Sequence, residues 1–547
     1  SFWALKTLTG NSVQAFWLTS IWMSLLGFLA YMFLFGLLFR LARRSNPGIP
    51  DGAMFLVPLV AYLASFSRAR LAFFIHFQNL SVFWLFLLAG GLIGYTCFRR
   101  RGYFALAVIS EVILIYSAVY FAVAGMCIIG LWGLMMLFAG GGLLQRTFRE
   151  NWPVMIAGGA IFMVMGVAYA KVPKGTYDVS YLQTLAVGWS DLLVPNGGVF
   201  RTALSRIAGE LHNPESETPA YLGLGVILAL VLIGLRHLPA AIGGLKRLAR
   251  SRAFLVAVGL AAICSIKWGT ARPVTCWIGT ALIAILIVAC TSAVARRLAT
   301  DPVGFTIGFL VLASVVAYGI AFGPWERFHA QPVNPSLWGV MTLVPGVANM
   351  RAIGRLAIVG HGLLLGALLL YVFTLFAQPG RRIVVWSVAL VLMALQGVEL
   401  AGGKAQQLVF DADMITPRPD EAACFAGVQG PAIVFPAFPD MRNAGYMVYF
   451  GHFPGLYLMN GYSTHSTPTW DRIAKLGDEK VAANEEQILA AEQLGVKYLV
   501  FDKSKVGEDR IRELKKSGRQ FVFRNDRFLI LMRKTHSNVQ PSSKDGI

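Results

Sequence analysis

V-Q-A-F-W-L-T-S-I-W-M-S-L-L-G-F-L-A-Y-M-F-L-F-G-L-L-F-R-L-A-R-R, residues 13–44, is the stretch whose reading decides the fold. No charge interrupts residues 13–39, and Arg40, Arg43 and Arg44 then close the run. A helix rises about 1.5 Å per residue, so roughly 17–25 apolar residues cross the ~30 Å hydrocarbon core of a bilayer. Lys and Arg at the end of such a run mark its cytoplasmic flank. The stretch therefore reads as a membrane-crossing helix that ends inside.

The same pattern recurs along the chain. Further spans are expected near 53–66, 80–97, 103–122, 125–144, 152–170, 220–237, 253–266, 275–294, 303–322, 356–377 and 383–401, twelve in all. Two of these, 53–66 and 253–266, are short, and parity decides them. The clusters Arg40/Arg43/Arg44 and Arg99/Arg100/Arg101 both belong inside, so an even number of crossings separates them. The same argument, between Lys246/Arg247/Arg250/Arg252 and Arg296/Arg297, retains 253–266. Arg146/Arg149 and Arg381/Arg382 complete the inner side. The outer side then holds 67–79, 123–124, 171–219, 267–274, 323–355 and everything after about 402.

Composition agrees with this. The 547 residues are 56% hydrophobic and only 14% charged, against roughly 25% charged in a soluble domain, and the mean hydropathy is +0.61. An ordinary cytosolic enzyme is excluded. The net charge of +20 would suggest nucleic acid if it lay on a soluble face. It does not, because the chain from Lys404 onward carries 19 basic and 17 acidic residues, leaving 29 and 11 for the apolar part. The excess is a topology signal directed at anionic lipid, and nucleic acid is not an expected partner. Cys97, Cys127, Cys264, Cys276 and Cys290 lie in or beside apolar runs, Cys424 is alone in the tail, and no zinc spacing occurs.

Three domains follow: a transmembrane part over 1–401, an external α/β domain over 402–534, and a flexible tail over 535–547. In the second, the β-type runs 431–436, 497–502, 520–524 and 527–532 accompany helical stretches near 483–494 and 506–517. The loop 171–219 is amphipathic, aromatic and punctuated by Pro and Gly, suited to the membrane surface. No phosphate-binding Gly-rich loop and no G-x-S-x-G occur. With twelve spans Ser1 falls outside, and at least one upstream span is expected to be missing.

Several motifs occur in a telling order: A-S-F-S-R-A-R then F-F-I-H-F-Q-N-L, I-Y-S-A-V-Y, W-S-D-L-L-V-P-N, E-T-P-A-Y-L-G-L-G, N-M-R-A-I-G-R-L, and in the tail F-G-H-F-P, M-N-G-Y-S and L-G-V-K-Y-L-V-F-D. Over nearly the whole chain this arrangement resembles the YfhO-like branch of the GT-C membrane glycosyltransferases. The resemblance implies transfer of a sugar from a polyprenyl-phosphate-linked donor to an envelope glycan, glycolipid or glycoprotein. It places that reaction on the external face of a bacterial inner membrane, with the C-terminal domain periplasmic or extracellular. It also implies that the catalytic acid follows the first span of the family, upstream of Ser1, so the catalytic residue of this chain is unassigned. A flippase or transporter of lipid-linked saccharides, or a non-catalytic envelope assembly protein, is the alternative. Donor sugar, acceptor, linkage and oligomeric state are not readable. No cofactor is identified, and nothing supports a divalent metal.

Glycosyl transfer needs a carboxylate to take the acceptor's proton and cations or hydrogen-bond donors to hold the leaving phosphate. Among the external carboxylates, Asp191, Glu217 and Glu326 are weak candidates; Asp191 reads equally as the cap of a surface helix. Arg351 and Arg355, i and i+4 at the start of a span, are the leading phosphate ligands, with snorkelling to lipid headgroups as the alternative. Arg68, Arg70 and His76 form a second external constellation. His452, Tyr462 and His465 suit sugar stacking or docking of the tail domain. Glu111 is the acidic residue well inside a span, nearer its cytoplasmic side, and is either functional or an interhelical hydrogen-bonding group.

Overall fold

Arg99 takes a left-handed conformation (φ 55°) directly after one helix and two residues before the start of the next, turning the chain back on itself between them. The computed structural model that shows this describes residues 12–66, 81–170, 187, 189–195, 200–208, 221–249, 285–323, 353–401, 417–437, 446, 449–450, 452–453, 455–459 and 483–532. The chain separates into two compact units, one of residues 20–406 and one of residues 407–547 together with the first nineteen.

The helical unit comprises most of α1 (Ser12–Ser45), a 3-10 turn (Asp51–Phe55), α2 (Leu56–Ser65), α3 (Phe83–Phe98), α4 (Arg101–Ser117), α5 (Val119–Phe138) and α6 (Leu143–Ala170). Short α7 (Trp189–Leu193) and α8 (Arg201–Ala208) precede α9 (Leu224–Ala249), α10 (Ile285–Ala295), α11 (Pro302–Ala321), a 3-10 turn (Ile353–Leu356), α12 (Ala357–Phe376) and α13 (Arg382–Ala401). Among the described residues five stretches are long and apolar enough to cross a membrane: Leu18–Ser45, Tyr120–Phe138, Pro302–Ala321, Gly354–Phe376 and Pro379–Val398. Large apolar side chains also face outward, including Trp152 and Val164 on α6 and Ile383, Val384 and Val391 on α13. Helices apolar all round suit a hydrocarbon solvent, and the protein is read as membrane-embedded on this ground.

Some boundaries differ from the sequence reading. The break expected at 123–124 falls at Ala118, whose extended backbone (φ −163°, ψ 87°) separates α4 from α5. No Gly or Pro marks that point, and Gly125, near the expected loop, lies inside α5. The span expected at 53–66 divides into a 3-10 turn and a ten-residue helix. The expected span 253–266, and the first part of 275–294, lie outside the described residues.

Basic side chains from different helices gather at one end of this unit. Arg44 donates to the Cys97 carbonyl at 3.4 Å and lies over the Phe98 ring, so the ends of α1 and α3 share a level. Arg43 pairs with Asp51, while Arg382 donates to the carbonyls of Gly48 and, at 3.2 Å, Phe376. Arg146 pairs with Glu150 at 2.6 Å, and Glu150 also accepts from Tyr95 on α3 at 3.0 Å. Arg44 and Arg99 therefore stand at the same end, as the parity argument requires.

Close helix approach fixes the interior. A Cβ on Gly91 of α3 would lie 2.6 Å from the Tyr103 carbonyl oxygen and 2.9 Å from the Ala107 nitrogen of α4, so glycine alone fits. On α11, Ser314 donates to the Gly360 carbonyl of α12 at 2.7 Å, and the Tyr318 ring covers Gly360.

The C-terminal unit is built on a five-stranded sheet. Its elements are α14 (Pro419–Ala426), β1 (Gly430–Phe435), β2 (Leu456–Leu458), α15 (Glu485–Gln493), β3 (Tyr498–Asp502), α16 (Lys503–Val506), α17 (Glu508–Lys516), β4 (Gln520–Arg524) and β5 (Phe528–Met532). Strand order is β2-β1-β3-β5-β4, with β1 parallel to β2 and β3, and β5 antiparallel to β3 and β4. Alternation along β1 sends Ile433 and Phe435 to one face, against Ile488, Ile511 and Leu514. Ala432 and Val434 go to the other, among Phe425, Tyr449, Phe450 and Phe528. Buried Arg519 ties α15 to the start of β4 through Glu485 at 2.7 Å and Glu492 at 2.8 Å.

Gly91→Ala is expected to destabilise the α3–α4 pair by about 1–3 kcal/mol through overpacking. Gly36→Ala, whose Cβ would meet nothing within 4 Å, should leave stability unchanged or slightly raised. Thermal unfolding of the detergent-solubilised protein distinguishes the two.

Candidate functional site

The end of the helical unit away from the basic clusters is assembled by backbone hydrogen bonds between distant segments. The Val187 nitrogen donates to the Ala321 carbonyl at the end of α11 at 3.1 Å, and the Leu222 nitrogen to the Leu192 carbonyl at 3.1 Å. These bonds dock α7 beside the C-terminus of α11 and the approach to α9. The turn Ile353–Leu356 packs against α11 and α5 at the same level.

Asp191 and Arg355 are both buried at this end, each 5% exposed. Asp191 lies in the first turn of α7, where the helix dipole favours a carboxylate. It is buried there, in the first turn of the helix for which the sequence offers it as a cap. The Arg355 guanidinium lies 5.9 Å from the centre of the Tyr120 ring, two residues after the Ala118 break. The side chain is buried and lies over that ring. Arg355 sits in the 3-10 turn Ile353–Leu356. Arg351 lies outside the described residues, as do Arg68, Arg70, His76, Glu217, Glu326, Tyr462 and His465.

Glu111 is 7% exposed, on α4. Because α4 ends at Ser117, Glu111 stands seven residues from the Ala118 break and ten from Arg101. This corrects the expected position: it is nearer the end that holds Tyr120 and Arg355. The interhelical hydrogen bond considered for it is absent among the described residues, where neither carboxylate oxygen has a partner.

A cleft of about 110 Å³ between α2, α9, α12 and α13 was not singled out from the sequence. Its wall is apolar, with Leu56, Val226, Leu369 and Leu392, apart from His361 and Gln396. The side-chain oxygen of Gln396 packs on Gly223, and the Leu392 carbonyl on Gly225, so glycine lets α9 and α13 approach there. The available signal was the histidine in G-H-G within an otherwise apolar span. Among the described residues no three His, Cys, Asp or Glu side chains converge to hold a metal.

His452 belongs to the C-terminal unit, half-buried in a turn whose nitrogen donates to the Tyr449 carbonyl at 3.3 Å. Two phenol–carboxylate bonds hold that segment, one to β3 and one to α14. Tyr446 donates to Asp502 at 2.8 Å, and Tyr449 to fully buried Glu421 at 2.6 Å. Glu421 also accepts from the Arg418 nitrogen at 2.9 Å and from Asn525 at 3.1 Å. Burial first, and then the bonded carboxylates, push both phenol hydroxyls above the usual tyrosine range.

No protein-family model matches the chain, and no curated protein matches it.

The raised phenols carry a pH dependence. Below the ordinary phenol pKa of about 10 the folded and unfolded states bind the same protons, and the stabilisation is complete. Above it the unfolded chain loses protons that folded Tyr446 and Tyr449 keep, so stability falls as pH rises. Tyr449→Phe should cost about 1–2 kcal/mol near neutral pH by removing one bond to Glu421, and should make the alkaline decline shallower. Denaturant titrations across that range, followed by near-ultraviolet circular dichroism, provide the check.

Proposed function

We propose that the protein is a GT-C-type membrane glycosyltransferase of twelve spans, acting on a polyprenyl-phosphate-linked sugar at the external face. The observation that carries this reading is Arg355, a cation buried beside Tyr120 at the end opposite the basic clusters. If the basic end is cytoplasmic, Arg355 and Asp191 lie on the side where lipid-linked sugars are used. A buried guanidinium is a ready ligand for a phosphate, because its planar fork matches two phosphate oxygens.

In this reading the acceptor hydroxyl oxygen attacks the anomeric carbon, and the bond from that carbon to the phosphate oxygen breaks. The polyprenyl phosphate departs with the bonding electrons, its charge held by Arg355 and Arg351. The hydroxyl proton passes to a carboxylate, for which Asp191 is the candidate among the described residues. The motif order from A-S-F-S-R-A-R to L-G-V-K-Y-L-V-F-D supports the same class. Glu111 favours a second reading, a flippase for lipid-linked saccharides, since intramembrane carboxylates mark transport paths.

The test is transfer of radiolabelled sugar from polyprenyl-phosphate donors to envelope acceptors by the full-length protein in nanodiscs. Transfer is expected with at least one donor, and Arg355→Ala should lower it by about 10²-fold or more, the effect typical of losing one charge-stabilising group. Translocation of the lipid-linked sugar without any transfer would favour the flippase, and transfer undiminished by Arg355→Ala would remove this site.

A further inference from the structure

We propose that Glu111 is a proton-binding site inside the helix bundle, loaded at neutral pH and exchanging its proton toward the Ala118 end. This goes beyond the proposed transfer reaction and does not depend on it.

Three observations on the geometry support the assignment. First, the side chain is 7% exposed, and neither oxygen has a hydrogen-bond partner among the described residues. An ionised carboxylate uses several acceptor sites, so an unpartnered one in apolar surroundings is far costlier than a neutral acid. Second, α5 makes room for it. A Cβ on Gly125 would collide with a Glu111 carboxylate oxygen, so the acid is seated directly on helix backbone rather than turned toward a headgroup.

Third, no cation reaches it among the described residues. From α5 the titratable group within electrostatic reach is Cys127, a thiol. From α3, Tyr95 packs on Phe104, two turns nearer Arg101, and bonds to Glu150 and Asn151. On α6, Arg146 is paired with Glu150 at that same far end, and the residue facing α4 at mid-helix is Gly158, against Val108. Tyr120, on α5, lies under Arg355. With no counter-charge on these packed faces among the described residues, the proton is the ligand that completes the site.

The exchange direction follows from distance. Glu111 is seven residues, about 10.5 Å, from the Ala118 break and ten residues, about 15 Å, from Arg101. The break also interrupts the α-helical hydrogen-bond ladder, leaving backbone groups at the end where Tyr120 and Arg355 gather. A proton leaving Glu111 has its shorter route to that end.

The experiment is infrared difference spectroscopy of the full-length protein in nanodiscs at pH 7, wild type against Glu111→Gln. The expected result is a carbonyl band of a protonated carboxylic acid that shifts when water is replaced by D2O and is missing from the variant. Identical spectra in the carboxylic-acid region overturn the assignment, and a band that ignores D2O overturns the exchange. Should Glu111→Gln fail to fold, the wild type decides the matter alone by reaction with dicyclohexylcarbodiimide. That reagent takes the acid's proton onto one nitrogen while the carboxylate oxygen bonds its central carbon, and the adduct rearranges to a stable N-acylurea. Exposed carboxylates are protonated only to about one part in 10³ at pH 7. An adduct on Glu111 but not on exposed Asp51 is therefore expected, and its absence from Glu111 overturns the proposal.

Discussion

Hydrocarbon does not solvate charge, and the placement of the described ionisable side chains in the helical unit answers to that constraint. Most guanidinium groups stand at one end, where several meet the last carbonyls of a neighbouring helix. Arg44 reaches the end of α3, and Arg382 the end of α12. Carbonyls there lack intrahelical donors and carry the negative end of the helix dipole, so a guanidinium satisfies them and is itself stabilised. The ionisable groups that do enter the interior are handled individually. Arg355 folds over Tyr120, Asp191 sits in the first turn of a helix, and Glu111 rests on the backbone at Gly125.

That division makes the two ends of the unit chemically different. One is cationic and held by ion pairs such as Arg146–Glu150. The other collects α7, the turn before α12, Tyr120, Arg355 and Asp191, with an amphipathic α8 nearby. A phosphate-bearing lipid at the second end would meet a buried guanidinium. Between the ends, glycines at 91, 225 and 360 let helices meet backbone to backbone or backbone to ring, which fixes the level of each helix relative to its neighbours.

Much of this was legible in the amino-acid order because apolar runs without charge admit one reading. Leu18–Ser45, Pro302–Ala321 and Gly354–Phe376 fall on expected spans, and four strands of the tail sheet on the expected β-type runs. What escaped depends on partners remote in sequence. The Ala118 break has no punctuating residue, while Gly125 is a seat for Glu111 inside a helix. β2 is only Leu-Tyr-Leu between Gly and Met, and becomes a strand by pairing with β1. Arg355 was readable as a cation at the start of a span, but Tyr120 beneath it was not, and neither were His361 and Gln396 as the polar points of one cleft.

The central claim is that the basic end faces the cytoplasm and the Arg355 end faces out. Single-cysteine labelling tests it most directly. In a protein whose six native cysteines have been replaced, Ala299→Cys would report the basic end and Thr202→Cys, on exposed α8, the other. A membrane-impermeant maleimide applied to intact cells should modify the cysteine at 202, and reach that at 299 only after permeabilisation. Labelling of position 299 but not 202 in intact cells would contradict the account.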